Sequence, residues 1–150
     1  MNELWPSTDP DPVRRLRALA AGVRGAHVTE AYVDAPFARV WELLGDLEGG
    51  FGQVVPDMER LRVVARHGER VEAKVRSRYG MRARLRGVQR PGWCWLQSRF
   101  LLVGVAAAPE GGGTRVAFTG GVRLPTRAAL VPVGVRREGG RSVRRLASLL

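Results

Sequence analysis

The sequence predicts an α+β fold: one curved, seven-stranded antiparallel sheet wrapped around a C-terminal helix, with an extra helix at the N-terminal end. Three observations carry this. Six strand-like segments follow one another between Met58 and Leu124, separated only by short turns, which favours antiparallel neighbours. One hairpin has a small, apolar face and a cationic face, so one side of the sheet is covered and the other wet. Helical spacing returns in the last ten residues, and a sheet with one apolar face needs a covering element.

Residues 1–10, with Pro6 and Pro10, read as a loose tail. Asp11-Pro12 offers an N-cap followed by proline at the first helical position. Val13, Leu16, Leu19, Ala20 and Val23 then recur at helical spacing, and Gly22 and Gly25 can end the helix. His27 to Asp34 alternates as a strand, with Val28, Glu30, Tyr32 and Asp34 on one face. Ala35-Pro36 turns the chain into a helix whose stripe is Phe37, Val40, Trp41, Leu44 and Leu47. A short second helix is expected near Phe51 to Val55.

The six later strands are expected near 59–66, 70–79, 81–89, 93–99, 100–108 and 114–124. Their separators are His67-Gly68, Gly80, Pro91-Gly92 and Pro109 to Gly113. In the hairpin, Val71, Ala73, Val75, Ser77 and Tyr79 oppose Glu72, Lys74, Arg76 and Arg78. After Gly80, Met81, Ala83 and Leu85 alternate with Arg82, Arg84 and Arg86. The arginines are expected on the convex, solvent side. Arg141 to Leu150 reads as a final helix with Val143, Leu146, Ala147 and Leu150 on one side; Pro132 and Gly139-Gly140 predict that the segment before it is kinked or split.

The 150 residues suit one domain, and 45% apolar with 26% charged residues is a globular composition. Cys94 is the single cysteine, so no internal disulfide forms, which fits a reducing compartment. No apolar run reaches the roughly 18 residues of a membrane span. Met1 to Pro12 does not read as a secretory leader, and a cytoplasmic location is expected.

The net charge of +11 is unevenly placed. Residues 28–59 set Arg39 against seven carboxylates, whereas residues 60–90 set eleven basic residues against two acidic ones. Such a field attracts nucleic acid, anionic membrane or an acidic ligand. The Arg76, Arg78, Arg82, Arg84 and Arg86 patch lacks interleaved aromatic residues, which argues against nucleic acid. The basic helix around Arg14 to Arg24 could instead meet an anionic membrane surface.

The run Val28-Thr29-Glu30-Ala31-Tyr32-Val33-Asp34-Ala35-Pro36-Phe37-Ala38-Arg39-Val40-Trp41-Glu42-Leu43-Leu44 resembles the opening of the START-related, Bet v 1-like superfamily (SRPBCC), often grouped with polyketide cyclases. Asp46 with Phe51 and Pro56, Arg90-Pro91-Gly92-Trp93, and Val143 to Leu150 are similar to its later segments. The resemblance covers residues 26–150 as a helix-grip domain and leaves residues 1–25 as an added tail and helix. It implies a cavity between sheet and C-terminal helix that holds a lipid, quinone, polyketide or similar hydrophobic molecule. It also implies an alternative, a cyclase or aromatase using the same cavity.

The expected cavity wall is Val75, Ser77, Tyr79, Met81, Leu85, Trp93, Trp95, Val116 and Phe118. Trp93 and Trp95 share one face of a strand and would suit a flat apolar ligand. Catalysis would need an inward acid or base, for which Tyr79, Ser77, Arg99, Gln97 and Glu30 are the candidates. His27, His67 and Cys94 have no metal-ligand spacing. No phosphate-cradling or dinucleotide loop occurs, so neither metal nor cofactor is expected.

Overall fold

The computed structural model describes residues 11–51, 58–77, 82–123, 130–131 and 143–150. Helix α1 (Pro12–Ala21) starts where Asp11 caps it: Asp11 Oδ1 accepts the Arg14 N–H at 3.1 Å, and Pro12 stands at the first turn. Strand β1 (His27–Val33) leads to α2 (Phe37–Leu44). The remaining strands are β2 (Met58–His67), β3 (Arg70–Ser77), β4 (Arg82–Arg90), β5 (Trp93–Gln97), β6 (Leu101–Glu110), β7 (Gly113–Arg123) and the two-residue β8 (Leu130–Val131). A final helix, α3, spans residues 143–149. The tail before Asp11, the segment 52–57 and the kink expected near Pro132 and Gly139 lie outside the described residues.

Seven strands form one curved, unclosed antiparallel sheet in the order β1-β7-β6-β5-β4-β3-β2, with β8 beside the end of β7. Strand β8 is a small addition to the expected seven. It takes up β7 at Val122 and Arg123, just past the point where β1 begins opposite Gly120.

The inner face gathers Val71, Ala73, Val75, Leu85, Cys94, Leu96, Val103, Val105, Val116 and Phe118. Helix α2 packs there through Val40 and Leu44, and α3 through Leu146, all three fully buried. Asp46 shapes the turn after α2: its carboxylate accepts the Gly49 N–H at 3.2 Å and the Gly50 N–H at 3.4 Å. That turn delivers Phe51 to the core.

The outer face has its own helix. Val13 and Leu16 of α1 pack on Trp93, Ala106, Ala108 and Ala117, with Val28, Val88 and Trp95 at the margin. Small residues let the helix close on the sheet. A Cβ at Gly104 would stand 3.0 Å from Leu16 Cδ1 and 2.7 Å from Thr119 Cγ2. Helix α1 therefore covers the β1-β7-β6-β5 half of the outer face. The β2-β3-β4 half carries exposed arginines and Lys74 instead.

On that open half, Lys74 stands opposite Arg62 on one side and Arg84 on the other. Directly opposed like charges cost roughly 0.2–1 kcal/mol per pair. Lys74→Glu should therefore raise unfolding stability by about 0.5–1 kcal/mol at low salt, read as a higher urea midpoint at unchanged slope. An unchanged or lower midpoint would show that solvent already screens these rows.

Candidate functional site

The inner face, where the cavity is expected to form the basin, is built by alternation. In β3 and β4 every second residue points inward, which places Val71, Ala73 and Val75 beside Leu85 and Ala83. The β7 hairpin partner adds Val116 and Phe118 next to Val105. The floor is fully buried, but the inner surface is not closed everywhere. Val63, Ala83, Leu101, Trp41, Val143 and Leu150 touch the core and remain partly accessible. Phe37 and Trp41 stack with parallel rings 6.4 Å apart, giving α2 a flat aromatic flank.

Two polar ties hold the covering helices. Arg39 of α2 donates from Nη2 to the Leu150 carbonyl at 2.6 Å, pinning the end of α3 to α2. At the far rim, Gln89 accepts from Arg66 Nη2 at 2.8 Å and donates through Nε2 to the Gly45 carbonyl at 2.6 Å. A β-bulge between Val63 and Ala65 makes this node. The extra residue turns Arg66 to the inner side, next to Val71, and sends Ala65 and His67 outward. Nothing in the plain alternation of β2 announces that reversal.

Of the residues expected to line the cavity, Val75, Leu85, Val116 and Phe118 come together on the inner face. Tyr79, Met81 and the side chain of Ser77 lie outside the described residues. Trp93 and Trp95 are a correction: both point outward. Strand β5 pairs Trp93 with Ala106 and Trp95 with Gly104, residues of the α1 side, while Cys94 and Leu96 face inward. Both parities of Trp93-Cys94-Trp95-Leu96 are apolar, so alternation alone could not orient the strand. The two indoles stack at 6.3 Å with planes 8° apart, and the Arg15 guanidinium lies 5.4 Å from the Trp93 ring.

The catalytic candidates with described side chains also lie off the basin. Glu30 faces outward and pairs with Arg17 of α1 at 2.8 Å. Gln97 accepts the Trp95 Nε1–H at 2.9 Å on the outer side. Arg99 sits in the β5–β6 turn against the Phe100 ring. Among the described residues of β1 to β7, no carboxylate faces inward by strand register. No group of three or more His, Cys, Asp or Glu side chains gathers as a metal site among the described residues.

Sequence reasoning missed a groove of about 630 Å³ on the outer face, where the cover of α1 ends. Trp95 and Val88 line it together with Arg70, Arg86, Glu72, His67 and Gln97. No helix of the described residues is long and apolar enough to cross a membrane.

No protein-family model matches the chain, and no curated protein matches it. Solved structures do. Protein CC1736 from Caulobacter crescentus is 20% identical with a TM-score of 0.62, over 83% of this chain and 94% of its own. TTHA0849 from Thermus thermophilus is 26% identical at TM-score 0.56, over 82% and 92%. Ara h 8.0201, a Bet v 1 allergen, is 11% identical at TM-score 0.56, over 83% and 95%. The fold is therefore Bet v 1-like, as the opening strand–Ala-Pro–helix run implied.

Cys94 marks how dry the inner side is. Burial pushes its thiol up to about 12, against a smaller opposing pull from Arg66. The folded thiol thus stays protonated where the unfolded one ionises, from about pH 9 upward. Its contribution to stability is complete below pH 9 and is lost as pH rises toward 12. Relative to Cys94→Ala, the wild-type protein should lose about 1 kcal/mol per pH unit in that window. Urea midpoints of the two proteins at pH 8, 9.5 and 10.5 check this; parallel curves would contradict it.

Proposed function

We propose that this chain, a Bet v 1-like helix-grip protein, binds or carries a small hydrophobic molecule between its inner sheet face and the C-terminal helix. The observation that carries the reading is the chemistry of the inner face. Its floor is an apolar core, and its accessible margin is Val63, Ala83, Leu101, Trp41, Val143 and Leu150. Burying apolar surface of a ligand there gains roughly 25 cal/mol per Å². The Arg66–Gln89 node supplies a polar end that can orient a carbonyl or hydroxyl.

The fold neighbours support a ligand-binding role in general and leave the ligand open. Binding is favoured over cyclase or aromatase chemistry because the catalytic candidates with described side chains, Glu30, Gln97 and Arg99, lie away from the basin. A lipid, quinone or polyketide-like compound fits these walls equally.

Native mass spectrometry of freshly purified protein, before and after organic extraction, tests the reading. The expected result is a bound species that extraction removes and that partitions into the organic phase. Ala83→Trp, which fills the margin beside Val75, should cut its occupancy about tenfold, or ~1.4 kcal/mol. Arg39→Ala should speed exchange of the bound molecule several-fold by freeing the end of α3 from α2. Protein that carries nothing and takes up no apolar fluorescent probe would defeat the proposal.

A further inference from the structure

The outer face of β2-β3-β4 has a feature that hydrophobic-ligand binding on the opposite face does not use. Cations stand in register across its strands. Arg60 pairs with Arg76 and Arg76 with Arg82; Arg62 pairs with Lys74 and Lys74 with Arg84. Neighbouring cations on one strand are about 6.7 Å apart, set by the two-residue repeat. Glu72 is the one carboxylate facing outward from β3 and β4, and Arg86 at 2.9 Å and Arg84 at 3.7 Å already share it. Among the described residues, Arg60, Arg62, Arg70, Lys74 and Arg82 have no ion pair. Such opposed like charges weaken the ladder, and a polyanion would relieve them.

The second observation is the groove at the end of these rows. Val88 and Trp95 give it an apolar side next to α1, and Arg70, Arg86, His67, Gln97 and Glu72 line the rest, the Glu72 carboxylate being held by Arg86. The Gln97 carbonyl already accepts the Trp95 N–H, so its amide N–H groups are left to donate. The aromatic residue that the arginine strands lack in sequence is therefore supplied from β5. We infer that this face binds single-stranded nucleic acid, with phosphates along the cation rows and an unpaired base against Trp95.

Geometry separates this partner from its competitors. Trp95 is recessed in the groove and half-buried. A flat anionic bilayer would meet the arginines and miss it. A duplex presents phosphates but keeps its bases stacked inside. An unpaired strand can offer both at once.

Fluorescence anisotropy with a labelled oligothymidylate of about fifteen nucleotides tests the inference on the full chain. Binding is expected at low salt and should weaken more than about tenfold between roughly 50 and 200 mM salt. Lys74→Glu with Arg84→Glu should lower affinity at least about tenfold and flatten the salt dependence. Trp95→Leu should weaken binding about fivefold while leaving the salt dependence unchanged. Arg70→Glu, an exposed groove substitution that touches no core, should weaken it as well. Thermal melts confirm that each variant is folded. No oligonucleotide binding, equal binding of a duplex of the same length, or preferential binding to vesicles containing anionic lipid with no effect of Trp95→Leu would each overturn the inference. None of these outcomes bears on the inner basin, which faces the other way.

Discussion

The ten-residue ladder between β6 and β7 is the constraint on which the rest depends. It carries a helix on each side. Helix α1 rests on Ala106 and Ala117 from outside, while Val105, Val116 and Phe118 meet the inner core with α2 and α3. A slip of one residue would exchange these faces. The aliphatic inner set would then meet α1, and the alanines that allow its close approach would turn inward. Register here therefore decides at once where the basin lies and where the N-terminal helix docks. Thr119 adds a tie to the edge, its hydroxyl donating to the His27 carbonyl at 2.7 Å.

The outer face is divided by what covers it. Where α1 lies, side chains are small or aromatic and buried. Where it ends, β2 to β4 keep wet cations, and the boundary is the Trp95 groove. The arrangement trades some ladder stability for a charged surface, since Lys74 sits between two arginines. On the inner side the trade runs differently: burial is nearly complete at Leu85, Cys94 and Val116, and the covering helices are held by a few polar ties at the rim.

Much of the fold was legible. The Asp11-Pro12 cap, the α2 stripe, the Pro91-Gly92 turn and the described part of the hairpin alternation each have a local cause and appear as read, whereas the turn after β2 falls at Gly68-Glu69, with His67 closing the strand. The candidate site was legible only where a strand has one apolar parity. Val75 and Leu85 could be placed inward because Lys74 and Arg86 had to face water. Trp93 and Trp95 could not be placed, because their neighbours Cys94 and Leu96 are equally apolar. The reversal at Arg66 depends on a bulge that involves Val63 and Ala65, residues with no special turn chemistry.

By itself, then, the amino-acid order determined the main elements, the antiparallel pairing of strands that follow one another from β2 to β7, and the cationic side of the β3–β4 hairpin, but not the pairing of β1 or β8 with β7. Those follow from spacing, caps and turns, which act over a few residues. Only the tertiary structure decided that α1 occupies half of the outer face, that the β5 indoles sit there, and that a groove opens beside Arg70 and Arg86. These depend on which distant segments meet, and a strand that is apolar on both sides holds no record of its partners.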